Sequence, residues 1–160
     1  VIVEATAGDE AALIALWEAC GLTRAWNPPA RDIAFALAGP SSTILVARGV
    51  VAPEHRALDR DHVVSSLCSR EGDEHAALTG SVMVGHDGHR GWVYYLAVAP
   101  DARRAGLGRA LMAAAETWLR ARGVPKIQLM VRTGNEDAHA FYRALGFADQ
   151  PVAVFGRFLD

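Results

Sequence analysis

Val93-Tyr94-Tyr95-Leu96-Ala97-Val98-Ala99-Pro100, followed by Arg103-Arg104-Ala105-Gly106-Leu107-Gly108 and then a helical run, decides how this chain reads. The first part is β-branched and aromatic, which predicts a strand that Pro100 ends. Asp101 and Ala102 make a turn, and Gly106 and Gly108 let backbone approach a ligand with no Cβ in the way. The helix beyond leaves its first amide N–H groups unpaired, with the positive end of the helix dipole behind them. An anion such as a phosphate fits there.

Upstream of that strand, Thr79 to Val84 and Trp92 to Val98 flank Gly85-His86-Asp87-Gly88-His89. The Asp-Gly pair is a hairpin signal, so the two runs are expected as antiparallel neighbours. Downstream, Leu107 to Ala121 carries Leu107, Leu111, Ala114, Ala115, Trp118 and Leu119 on one helical face and Arg109, Glu116 and Arg120 on the other. Gly123-Val124-Pro125 closes it. Ile127 to Val131 is then expected as a strand, Asp137 to Leu145 as a short helix ended by Gly146, and Val152 to Leu159 as a last strand.

Ile2 to Glu4 opens the chain as a short strand, and Thr6 with Asp9 three residues later has the form of a capping box. Leu13, Leu16, Trp17 and Cys20 recur on one helical face, and Gly21 stops that helix. The stretch Leu22 to Pro29 cannot continue it; Asp32 to Ala38 is expected as a shorter helix closed by Gly39-Pro40, and Thr43 to Ala47 as a strand. Residues 49–78 would join two hairpin-like strands over about 30 residues, beyond an ordinary connection. They read as an insertion or mobile loop of charged and small residues, with a lid or a dimer contact as the other readings.

The 160 residues suit one domain, 1–160. Formal net charge is −2, so a general electrostatic grip on nucleic acid is not expected and any cationic site must be local. No stretch is long and apolar enough to span a bilayer, and Val1-Ile2-Val3-Glu4 has no basic or apolar leader, so a cytoplasmic protein without membrane partners is expected. Cys20 and Cys68 lie far apart with no CxxC, which supports neither a zinc site nor a disulfide framework. His86 and His89 with Asp87 are explained by the turn, and no metal is expected. The glycine loop lacks the Gly-Lys-Ser/Thr of a nucleotide loop, and Leu111 stands where a dinucleotide fingerprint has its third glycine.

With Arg103-x-x-Gly106-x-Gly108 and Asn135-Glu136-Asp137-Ala138-His139-Ala140-Phe141-Tyr142-Arg143-Ala144-Leu145-Gly146-Phe147 in this order, the chain resembles the GNAT superfamily of N-acetyltransferases, most strongly over Ser81 to Phe147. The resemblance implies an α/β (α+β) fold with a mixed, mostly antiparallel central sheet flanked by helices and with splayed central strands. It implies acetyl-coenzyme A as co-substrate. Backbone amides of about Arg104, Ala105, Gly106, Leu107, Gly108 and Arg109 would then hold the pyrophosphate, with Arg103 and Arg104 adding positive charge and Arg109 helping from the first turn. Leu96, Ala97 and Val98 would run beside the pantetheine arm, which lies along the strand like an added partner. The strand Ile127 to Val131 would splay away to admit the thioester.

By the same resemblance Asn135 would position the cofactor arm and Tyr142 would act as general acid. A neutral primary amine attacks the thioester directly, a backbone N–H such as that of Val98 steadies the oxyanion, and Tyr142 protonates the leaving thiolate. Tyr142 read alone is equally a core aromatic beside Phe141 and Phe147. No general base is assigned: ribosomal-protein alanine acetyltransferases of this superfamily carry a glutamate before the Val-Arg of the corresponding strand, and Met130 stands there instead. Glu136, Asp137, Tyr94, Tyr95, His86, His89, a water chain and no protein base at all stay open, with Tyr94 and Tyr95 on opposite strand faces.

Arg24, Trp26 and Asn27, with Tyr94, are the candidate acceptor-side residues. Arg24 suits a carboxylate on the acceptor, and Trp26 beside two prolines reads equally as a packing cap. The acceptor, a small molecule or a protein amine, is not named by the residues, nor is the choice between monomer and homodimer. A non-catalytic acyl-coenzyme A sensor or interaction module is the alternative function.

Overall fold

In the computed structural model, residues 1–49 and 77–159 are described. The expected insertion over 49–78, with Cys68 inside it, lies outside the described residues except at its two ends. The chain divides into two compact units, Val1–Leu129 and Met130–Asp160.

The first unit is built on a five-stranded sheet in the order β1-β2-β3-β4-β5, from β1 (Ile2–Glu4), β2 (Ser42–Arg48), β3 (Leu78–His86), β4 (Gly91–Val98) and β5 (Ile127–Leu129). The first four pair antiparallel and β5 pairs parallel with β4, as a strand must when a helix crosses back over the sheet. The mixed, mostly antiparallel sheet expected from the sequence is therefore present. Helices α1 (Glu10–Ala19) and α2 (Pro29–Leu37) cover one face. There Leu13, Leu16, Trp17, Ile33 and Ala36 bury against Ile44, Val46, Leu78 and Ala97.

Helix α3 (Leu107–Arg120) covers the other face, burying Leu111, Met112, Ala115, Trp118 and Leu119. Its approach is so close that a Cβ on Gly91 would stand 2.5 Å from Leu119 Cδ1. At the N-terminus the Thr6–Asp9 pair forms as expected: Thr6 N–H donates to Asp9 Oδ2 at 2.8 Å and Asp9 N–H to the Thr6 carbonyl at 3.0 Å.

Several boundaries differ from expectation. Helix α2 begins at Pro29, three residues before Asp32, because proline in a first helical turn has no N–H that the helix needs and its φ is already helical. The preceding Leu22–Pro29 stretch folds into a turn in which Asn27 N–H donates to the Arg24 carbonyl at 3.0 Å. Cys20 is the C-cap of α1, half-buried and packed against the core as its helical face predicts; its thiol donates to the Val98 carbonyl at 3.3 Å. Strand β5 stops at Leu129, short of the expected Val131.

The second unit holds α4 (Glu136–Ala144), against an expected helix over 137–145. The expected last strand over 152–159 does not form among the described residues, and Val152, Val154, Phe155, Phe158 and Leu159 are exposed. A β-branched and aromatic run has the propensity for a strand, but only a paired ladder makes one.

Candidate active site

The centre of the first unit is an irregularity in β4. Ser81 pairs with Ala97 and Met83 with Tyr94, so the single residue Val82 opposes both Tyr95 and Leu96. This is a β-bulge, and it places Tyr95 at φ +49°, a left-handed conformation uncommon for a side chain of that size. The bulge breaks the strand's alternation. Tyr94 and Ala97, three residues apart, now sit opposite Met83 and Ser81 on the face that α1 and α2 cover.

Tyr95 reaches that face too. Its ring stacks on Trp17 with centroids 3.9 Å apart and planes 10° from parallel. The expectation that Tyr94 and Tyr95 take opposite faces is thus corrected: the extra residue turns both toward α1 and α2.

Tyr95 is anchored by polar groups, of which the sequence marked only Asn27 as a site residue. Trp17 Nε1 donates to the buried Ser81 hydroxyl at 2.9 Å, and that hydroxyl lies 3.4 Å from the Tyr95 carbonyl. The Tyr95 hydroxyl donates to Asp32 Oδ2 at 2.6 Å. Asn27 Nδ2 stands 2.7 Å from the Tyr95 oxygen and 2.6 Å from the same Asp32 oxygen. Burial first, and then the bond to the Asp32 carboxylate and its charge, pushes the Tyr95 phenol up to about 12. Burial, with the charge of Asp87 behind it, also raises Tyr94.

On its other side β4 is open. The ladder with β5 ends at Val93 opposite Leu129, so among the described residues Tyr94 to Val98 have no strand partner away from β3. The Val98 carbonyl points to that open edge, where it accepts from Arg103 Nε at 3.2 Å and from Cys20 Sγ. Because N–H and C=O of one strand residue point to the same side, the Val98 N–H faces the edge as well. Leu96 lies in the bulge, while Ala97 is buried and paired with Ser81.

The loop after β4 forms a short helical turn over Pro100–Ala102 and then enters α3 through Gly106, at φ +81°. The first bond of the α3 ladder runs from Ala110 N–H to the Gly106 carbonyl at 3.1 Å, leaving the N–H groups of Leu107, Gly108 and Arg109 ahead of it. No acidic residue occupies this first turn, which carries Arg109 instead. Acidic groups are what the dipole ordinarily favours at such an end. Arg103, Arg104 and Arg109 are all exposed, and none forms an ion pair among the described residues. Three uncompensated cations around free helical N–H groups fit a polyanion such as a pyrophosphate.

In the second unit Asn135 is the N-cap of α4: its side-chain oxygen accepts from Ala138 N–H at 3.2 Å. Tyr142 is half-buried, edge-on to Phe141 at 5.1 Å and to Phe147 at 5.8 Å. Burial raises its pKa, which keeps it a neutral proton donor. On the acceptor side, Arg24 is turned onto backbone, donating to the Gly21 and Thr23 carbonyls at 2.9 and 2.6 Å. Trp26 is 63% exposed, which does not suit a packing cap. Asp87 binds the N–H groups of His89 and Arg90, so the histidine-bearing turn is closed by its own aspartate. Among the described residues no three His, Cys, Asp or Glu are placed to hold a metal ion. No helix among them is long and apolar enough to cross a membrane.

A mixed sheet with an opened edge thus stands beside a helix N-terminus flanked by three exposed arginines. Known proteins identify the class to which this geometry belongs. The profile of the Acetyltransferase (GNAT) family matches residues 39–147. An acetyltransferase of Yersinia enterocolitica is 36% identical over 145 residues, 91% of this chain and 85% of that one. One of Pectobacterium atrosepticum is 36% identical over 149 residues, 93% of this chain and 88% of the relative. Among solved structures, AAC(6')-Iy in complex with the bisubstrate analog CoA-S-monomethyl-acetylneamine shares the fold, with a TM-score of 0.71 at 14% identity over 100% of this chain and 98% of that one. The chain belongs to the GNAT family of acetyltransferases, and is an acetyl-coenzyme A-dependent N-acetyltransferase.

Proposed function

We propose that the chain transfers the acetyl group of acetyl-coenzyme A directly to a primary amine, with residues 1–160 acting as a single catalytic domain. The observation that carries this reading is the Arg103 Nε bond to the Val98 carbonyl, which ties the anion-binding loop to the open edge of β4. Backbone over Arg103 to Arg109 holds the pyrophosphate, and the edge at Leu96 and Val98 pairs with the pantetheine arm. Acetyl-coenzyme A supplies an activated thioester.

The N–H of Val98 faces the charge that develops on the thioester oxygen. Asn135 and Tyr142 are assigned through their place in the second family motif: Asn135 positions the cofactor arm, and Tyr142, held neutral by burial, gives its proton to the leaving thiolate. The acceptor enters from the face that carries Arg24, Trp26, Asn27 and Tyr94. As the amine nitrogen bonds to the carbonyl carbon, the carbon–sulfur bond breaks, coenzyme A leaves as the thiol with the Tyr142 proton, and the proton shed by the nitrogen passes through solvent to restore Tyr142.

Release of free thiol from acetyl-coenzyme A in the presence of a panel of amines tests the reading. Tyr142→Phe is expected to lower kcat by about 10²-fold while acetyl-coenzyme A still raises the melting temperature, since a ligand bound only by the folded state stabilises it. Unchanged kcat in that variant removes Tyr142 from the chemistry. Binding of acetyl-coenzyme A with no thiol release to any amine favours the sensor reading instead.

A further inference from the structure

The amides that β4 offers at its open edge are decided by one inserted residue. Gly91 N–H donates to the Lys126 carbonyl at 2.8 Å, so Gly91 faces β5, and unbroken alternation would turn Val93, Tyr95, Ala97 and Ala99 the same way. Instead Ala99 N–H donates to the Thr79 carbonyl of β3 at 2.9 Å. Val98, rather than Ala97, therefore presents its N–H and C=O outward. The shift takes place in the bulge at Tyr95 and Leu96.

That shift depends on a left-handed backbone at Tyr95, which a residue with a Cβ adopts only at a cost. Every part of the residue is restrained. Its ring stacks on Trp17 of α1 at 3.9 Å. Its carbonyl takes the hydroxyl of Ser81 in β3 at 3.4 Å, while that hydroxyl accepts from Trp17 Nε1. Its own hydroxyl binds Asp32 at 2.6 Å and Asn27 at 2.7 Å. Asp32 is placed to hold this bond: it stands in the first turn of α2, where the helix dipole favours a carboxylate, and the positive charge of Arg24 is felt at the same hydroxyl.

We propose that Tyr95 is a positioning residue for the acetyl donor, locked by Trp17, Ser81, Asn27 and Asp32 in the conformation that turns the Val98 amide to the edge where the pantetheine arm lies. The inference rests on the cofactor placement proposed above and deepens it. Without the lock, β4 returns toward regular alternation, in which Ala97 faces outward and Val98 faces β3. The pyrophosphate grip is set separately, by Gly106 and the first turn of α3.

The test measures, by calorimetric titration, how much more tightly acetyl-coenzyme A binds than 3′-phospho-ADP, the same nucleotide without its pantetheine arm. Tyr95→Val and Tyr95→Asn both remove the ring and the hydroxyl, but valine resists a left-handed backbone and asparagine accepts it. Tyr95→Val is expected to lose about tenfold of that preference as the binding-competent register becomes the minor one, with 3′-phospho-ADP binding retained, and Tyr95→Asn to lose less. Asp32→Ala, at a half-buried position, keeps the test open where Tyr95→Val fails to fold. It should lose about threefold of the preference, and Asp32→Asn, whose side-chain carbonyl still accepts from the Tyr95 hydroxyl, should recover it. Packing alone predicts the opposite order at Tyr95, because valine restores more apolar contact than asparagine. A preference unchanged in Tyr95→Val and Asp32→Ala, an equal loss in Tyr95→Val and Tyr95→Asn, or both ligands weakening together overturns the positioning role and leaves the cofactor placement standing. A wild type with no preference for acetyl-coenzyme A refutes that placement, and the positioning role falls with it.

Discussion

Tyr95 concentrates the structural logic of the molecule. Its backbone is left-handed, its ring lies flat on Trp17, and its hydroxyl reaches from the sheet to the first turns of α2. Replacing it by phenylalanine keeps the stacking and removes two part-buried hydrogen bonds, one to Asp32 and one from Asn27, so an unfolding free energy lower by about 1–3 kcal/mol is expected in urea titrations. The alkaline behaviour carries a sign. With the folded-state value raised to about 12 from the ordinary 10.0, the phenol contributes stability in full below pH 10, and that contribution fades as pH rises toward 12. Tyr95→Phe should lack this fade, and an ultraviolet titration of the folded variant should lack the highest tyrosine step. No periodicity announces the residue's role, because a bulge inserts one position into an otherwise regular pattern and leaves no mark in composition.

At the scale of elements, the join between β4 and α3 is the part that local chemistry specifies most fully. Proline ends the strand and glycine enters the helix, and both act through backbone dihedrals that no distant contact has to supply. Gly106→Ala should be destabilising by about 1 kcal/mol, because φ +81° strains any side chain there, although a Cβ would meet nothing within 4 Å. Since the cause is dihedral rather than steric, Gly106→Asn should recover part of the loss in the same melting experiment. The hairpin β3–β4 and the amphipathic helices α1 and α3 were legible for similar reasons: an Asp-Gly turn and a 3.6-residue apolar period are local signals. The start of α2 was misread because two prolines end one helix as readily as they begin another. The extent of β5 and the state of residues 152–159 depend on which edge a strand finds, which its own sequence does not contain.

Across the whole chain, acid stability should report on one buried connection. Asp9 is buried at the start of α1 and pairs with Arg48 of β2 at 2.7 Å, while also accepting from the N–H and hydroxyl of Thr6. Burial by itself would raise the carboxyl; the Thr6 N–H and the Arg48 guanidinium outweigh it, and the net value lies below the ordinary 3.8. A depressed folded value means that the contribution is complete above about pH 4 and is lost as pH falls through the folded value. Arg48→Ala should lower stability at neutral pH by about 1–3 kcal/mol and flatten the acid limb of a melting-temperature profile. An acid limb identical to that of the wild type would assign the acid sensitivity to other carboxylates.

Local chemistry in the chain was enough for the order of elements, the glycine turn at Arg103–Gly108 and, through that turn and the Asn135–Phe147 motif together, the family and its acetyl donor. These are carried by dihedral preferences and short-range spacing, which act wherever the segment lies. Folding in three dimensions was needed to bring Trp17, Asn27, Asp32, Ser81 and Tyr95 together from α1, the turn before α2, α2, β3 and β4. It was also needed to leave the outer edge of β4 without a described strand partner beyond Val93. The physical reason is that a bulge changes which face a side chain takes, and a carboxylate's character is set by the donors and cations around it. Both depend on neighbours that are distant in sequence.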